Sequence, residues 1–101
     1  MNETTPSPHA WVESSVPRRS TAVVEQRAND SLVLVHIDTG RYYALEGTGD
    51  VIWHLCDGQN TLGHIIATVS SQFGADPRTV RADALELLGE LSREGLVDDA
   101  S

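Results

Sequence analysis

The triplet Asp38-Thr39-Gly40 is the arrangement in this chain that most resembles a catalytic motif. In aspartic proteases such a triplet supplies one of two carboxylates that share a proton, and a chain this short would have to dimerise to pair them. The apolar strand-like run before it suits that chemistry. The residue after it does not. Arg41 stands where those enzymes place a small side chain, and a cation beside the dyad would hold both carboxylates ionised. The helical patterning of the second half is also wrong for an all-β enzyme. Asp38 and Gly40 are better read as turn residues.

His54, Cys56 and His64 are the remaining residues with ligand or nucleophile chemistry near one another in sequence. His54 and Cys56 are two apart, which on a helix turns them to different sides. The paired spacing of a structural zinc site is missing. Cys56 has no basic neighbour in sequence to lower its pKa, and it suits the role of a small core residue. The expectation is therefore a chain with no catalytic residue, no metal and no cofactor.

The elements that would position a binding site are legible from punctuation and period. Residues 1–20 read as a flexible tail broken by Pro6, Pro8 and Pro17, with the sharper alternative that Trp11 docks in a surface groove. Thr21 to Arg27 reads as a first strand, and Ala28-Asn29-Asp30 as a turn. Ser31 to Asp38 alternates β-branched residues, with Leu32, Leu34 and His36 on one face and Val33, Val35 and Ile37 on the other. Both faces are apolar, so both are expected to be at least partly covered. Asp38-Thr39-Gly40 turns the chain into a third strand, Arg41 to Leu45. Tyr42 and Tyr43 must point to opposite faces of it, and which one meets a ligand is open.

The period then becomes helical. Val51, Ile52, Leu55 and Cys56 mark a first helix ended by Gly58. Thr61 caps a second, whose stripe is Leu62, Ile65, Ile66, Val69 and Phe73, and Gly74 closes it. Asp76-Pro77 opens a third that runs to about Glu94. Residues 21–98 thus form one domain of α+β class, a three-stranded antiparallel sheet followed by three helices.

The third helix carries more apolar arc than a core requires. Ala84, Leu87 and Leu91 lie within about 40° of Val80, whereas Leu88 and Leu85 extend the arc to about 80° and 140°. Asp83, Glu86, Glu90 and Glu94 make the opposite, acidic face. Leu85 and Leu88 are candidates for the wall of a groove beside the sheet edge, with Arg81 at its rim. The strand Arg41 to Leu45 is the matching edge, able to accept an extended peptide through its backbone.

Charge narrows the partners. Seven basic residues, all arginine, stand against 15 acidic ones, for a net charge of −8. Such a field repels nucleic acid and anionic membrane. The third helix sets Asp83, Glu86, Glu90 and Glu94 against Arg78, Arg81 and Arg93, a poor balance for a DNA-reading helix, so a winged-helix DNA-binding regulator is the weaker alternative. One cysteine excludes an internal disulfide. Neither a signal pattern nor a membrane span is evident, and the expected location is cytoplasmic.

The stretch DTGRYYALEGTGDVIWHLCDG, from Asp38 to Gly58, resembles the PqqD family of peptide-modification chaperones. So do the Thr-initiated helix ending in Phe73-Gly74, the Asp76-Pro77 start, and the Leu-rich helix ending in Glu94-Gly95-Leu96-Val97. The resemblance covers about residues 22–97 and extends to the wider group of leader-peptide recognition elements in ribosomal natural-product pathways, lasso peptides among them. It implies a winged-helix-like fold and non-catalytic binding of a precursor leader as an added strand. That strand would lie on Arg41, Tyr42, Tyr43, Ala44 and Leu45, against a helix wall of Arg81, Leu85, Leu88 and Ser92. It also implies a separate enzyme partner, either a radical-SAM enzyme or a lasso leader protease with its cyclase. A homodimer through the same open edge is a further expectation.

Overall fold

The computed structural model describes residues 10–101. In chain order the elements are β1 (Pro17–Arg19), β2 (Val23–Ala28), β3 (Ser31–His36), β4 (Tyr42–Leu45), α1 (Thr48–Leu55), α2 (Leu62–Phe73), α3 (Pro77–Arg93) and β5 (Val97–Asp99). β2, β3 and β4 form an antiparallel meander in sequence order. Asn29, with φ 59°, makes the first turn, and Gly40, with φ 75°, the second. α1 and α3 meet this sheet, through Glu25–Trp53 and Tyr43–Glu90, and α2 packs on both of them, giving the expected α+β, winged-helix-like layout.

The helix ends follow local chemistry. Thr61 Oγ1 accepts the His64 N–H at 3.1 Å, and Gly74 leaves α2 in the left-handed conformation. Asp76 Oδ1 accepts the Arg78 N–H at 2.9 Å, with Pro77 following in the first turn of α3. The core lies between β3 and the helices, where Leu34, Ile52, Trp53, Ile65, Leu88 and Leu91 are fully buried. Burying a side chain of this size from water is worth about 1.5–3 kcal/mol, so this cluster sets the fold.

One expectation is corrected, and another is met in part. Residues 11–20 are not a tail: Trp11 is 8% exposed within the core cluster, and β1 pairs with β5 from Pro17↔Asp99 to Arg19↔Val97. The Ser15 and Glu13 carbonyls accept the N–H groups of Leu62 and Gly63, so this strap closes the open N-terminus of α2. The part of the expected tail at residues 1–9 lies outside the described residues. After α3 the chain folds back on the core: Leu96 and Val97 are buried, and β5 begins at Val97. The two faces of β3 differ in degree. Leu32 and Leu34 are buried; on the outer face Val33 and Val35 are partly covered, as expected, and Ile37 is 61% exposed.

Candidate functional site

The sheet has two outer strands, and their chemistry differs. On β2, Glu25 accepts the Trp53 indole N–H at 3.0 Å, and Arg27 pairs with Asp50 at 2.6 Å. Charged side chains that turn inward blunt an edge against further pairing. On β4 the residues Tyr42, Tyr43, Ala44 and Leu45 carry no formal charge.

The ladder fixes which β4 groups are open. The Ile37 N–H donates to Ala22, and the His36 N–H donates to the Arg41 carbonyl. Bonding direction alternates along an antiparallel strand. Arg41, Tyr43 and Leu45 therefore face β3, and the N–H and C=O groups of Tyr42 and Ala44 point to the free edge. Side chains alternate in the perpendicular sense. Leu45 is buried and Tyr43 half-buried on the helix side, while Tyr42 is 74% exposed on the outer face. Tyr43 is thus the tyrosine on the helix side.

A groove of about 360 Å³ runs between β4 and α3. Tyr43, Ala44, Leu45 and Glu46 line one side, and Asp83, Glu86, Leu87 and Glu90 the other; Thr48, Gly49 and Ile52 close its end from α1. The Tyr43 hydroxyl donates to Glu90 across it. That bond holds the phenol in its neutral form, and together with burial and the Glu90 and Glu86 charges it pushes the Tyr43 pKa up to about 12.

Of the expected strand half, Tyr43, Ala44 and Leu45 line this groove, while Arg41 and Tyr42 border a separate depression by the β3–β4 turn; none of the expected helix half lines it. Leu88 is 0% exposed and belongs to the core. Leu85 packs against that core. Arg81 pairs with Glu13 of the strap. Ser92 borders a separate depression with Arg18, Ser20 and Gly95. The helix wall facing β4 is Asp83, Glu86, Leu87 and Glu90 instead, on the opposite side of α3, about 180° from the stripe expected. The physical reason is that α3 is covered on two sides, by α2 and by the strap, so its wide apolar arc is consumed inside the fold. The signal that marks the true wall is Leu87 set among acidic residues at helical spacing.

The other candidate chemistry is dispersed. Asp38, Thr39 and Gly40 form the exposed β3–β4 turn, where Thr39 Oγ1 accepts the Arg41 N–H at 3.2 Å and the Gly40 N–H donates to the His36 carbonyl. Cys56 is buried, its thiol donates to the Ile52 carbonyl at 3.2 Å, and burial pushes its pKa up to about 12. His54 and His64 are exposed on different helices. Among the described residues no three His, Cys, Asp or Glu side chains gather as a metal site would require. No helix among them is long and apolar enough to cross a membrane.

The family model for coenzyme PQQ synthesis protein D (PqqD) matches residues 31–97. The chain belongs to the PqqD family. No curated protein matches it. Three solved structures share its fold. The PqqD truncation of Methylobacterium extorquens PqqCD, described as a functional stand-alone recognition element for ribosomally synthesised and modified peptides, superposes with a TM-score of 0.75 at 27% identity, over 90% of this chain and 97% of that one. TbiB1, in complex with the TbiA(beta) leader peptide, gives 0.71 at 30% identity, over 80% and 94%. A lasso peptide synthetase B1 complexed with its leader peptide gives 0.72 at 16% identity, over 82% and 98%, a likeness of fold alone. The family match spans the groove on both sides, from β3 through α3 to Val97.

Proposed function

We propose that this PqqD-family domain binds the leader segment of a ribosomally made precursor peptide and performs no chemistry on it. The observation that carries the reading is the uncharged β4 edge beside a groove, in a chain 30% identical to a protein solved with a leader peptide. The leader adds as a strand to β4. The N–H and C=O groups of Tyr42 and Ala44 supply the backbone bonds, and the groove takes every second side chain. Arg41, at the start of the strand, is held by Glu94 at 2.8 Å and frames one end. On the helix side the contact residues are Leu87, Glu86 and Glu90 rather than Arg81, Leu85, Leu88 and Ser92.

Tethering the leader raises the effective concentration of the attached core at a partner active site. The partner is a separate modifying enzyme, of radical-SAM type or a lasso leader protease with its cyclase. The net charge of −8, and the acidic residues Asp83, Glu86, Glu90 and Glu94 on α3 beside its three arginines, give no basic helix face for DNA, and the reading as a regulator is set aside on charge.

Titration calorimetry with synthetic leader segments from short reading frames beside the gene tests this. One leader should bind one-to-one with its core segment dispensable, and Ala44→Pro should weaken it at least tenfold. Proline is tolerated on an edge strand when the lost N–H faces away from the ladder, so the variant should fold. Equal binding by Ala44→Pro would remove the added-strand model.

A further inference from the structure

The groove is apolar at its floor and acidic along its wall. Leu45, Ile52 and Leu87 supply the floor, and Glu46, Asp83, Glu86 and Glu90 stand around them with no basic residue in the lining. Two of these carboxylates are engaged locally: Glu90 by the Tyr43 hydroxyl, and Glu46 by the Ser31 hydroxyl at 2.6 Å. Asp83 and Glu86 are exposed and have no hydrogen-bond or ion-pair partner among the described residues. Two cations lie nearby: Arg41 is paired with Glu94, and Arg93 stands outside the lining, close enough to act on the Tyr43 phenol but outnumbered by the four carboxylates. An anionic segment laid here would meet uncompensated like charge, whereas a cationic one would find two open partners and a long-range field of the right sign.

The spacing agrees. Asp83, Glu86, Leu87 and Glu90 recur along one side of α3 over about 10 Å. Alternate side chains of an extended strand are about 7 Å apart. A strand on β4 therefore presents two or three side chains to this wall, one over Leu87 and its neighbours over the acids.

We infer that the segment recognised on β4 is cationic, with an aliphatic or aromatic residue seated over Leu45 and Leu87 and lysine or arginine two residues away facing Asp83 and Glu86. This rests on the leader-binding reading and specifies its ligand. A random twelve-residue display library, selected on the full chain and counter-selected on Ala44→Pro and separately on Leu87→Gln, isolates peptides that depend on the groove. Circular dichroism of both baits checks that they are folded. The expected outcome is enrichment of Lys or Arg two positions from an apolar residue. Affinity of those peptides should fall about tenfold in the Asp83→Asn, Glu86→Gln double variant, and should fall with added salt. Groove-dependent peptides that show no cationic preference, or that bind the double variant as tightly, would overturn this inference and leave leader binding standing. If every enriched peptide binds both folded baits as well as the parent, the β4 reading itself fails, and the inference with it.

Discussion

Tyr42 and Tyr43 are adjacent in sequence and opposite in role. Tyr43 turns to the helix side and donates to Glu90, while Tyr42 lies on the outer face, 74% exposed. Alternation along the strand dictates that they differ, and only the burial of Leu34 and Leu45 beneath the helices decides which is which. Because the folded phenol of Tyr43 titrates near 12, above its ordinary value of 10, it contributes stability that is fully present below pH 10 and is lost as pH rises toward 12. Spectrophotometric titration should show one tyrosine ionising near 12, and Glu90→Gln should bring it down. An unchanged titration in that variant would show that the Glu90 bond does not govern it. Cys56 gives a second check at this scale. Its buried, neutral thiol should react with a disulfide reagent only as fast as the domain unfolds, and fast native-state labelling would contradict its place in the core.

At the scale of elements, punctuation made most of the fold legible. Thr61, Gly74 and Asp76-Pro77 bound α2 and α3 where caps and proline place them. Thr61→Ala removes one cap and should cost about 1 kcal/mol in denaturant unfolding; no change would mean that the strap carbonyls already satisfy that turn. What periodicity could not show was the rotation of α3. A broad apolar arc reads the same whether it faces a ligand or a second packing layer. The strap, which consumes that arc, is long-range: Glu13 meets Arg81, and Pro17 meets Asp99. Leu88→Ala should therefore cost about 2–5 kcal/mol of stability, whereas Leu87→Gln should spare the fold and weaken leader binding. The reverse pattern would restore the wall inferred from the sequence.

Over the whole molecule, the strap joins both ends of the described chain. Trp11 sits in the core cluster, and β1 closes on β5. No local pattern announces a three-residue strand that begins at a proline and pairs some eighty residues later, so residues 11–20 looked like a tail. Trp11→Ala should lower stability by about 3 kcal/mol, read in urea unfolding; a neutral result would return the segment to that status. Acid should also weaken the fold. Hydrogen bonding to Arg27 holds the Asp50 carboxyl below its ordinary value of 3.8, so its contribution is present above that value and is lost as pH falls through the depressed one. Arg27→Gln should flatten that part of the acid unfolding curve.

The central claim is that a leader adds as a strand to β4, and amide hydrogen exchange read by NMR tests it most directly. With leader bound, the Tyr42 and Ala44 amides should gain protection, because their N–H groups acquire acceptors. The outward amides of β2, at Val23, Glu25 and Arg27, should exchange as before. Protection that appears on β2 instead, or leader binding that leaves Tyr42 and Ala44 exchanging freely, would contradict the account.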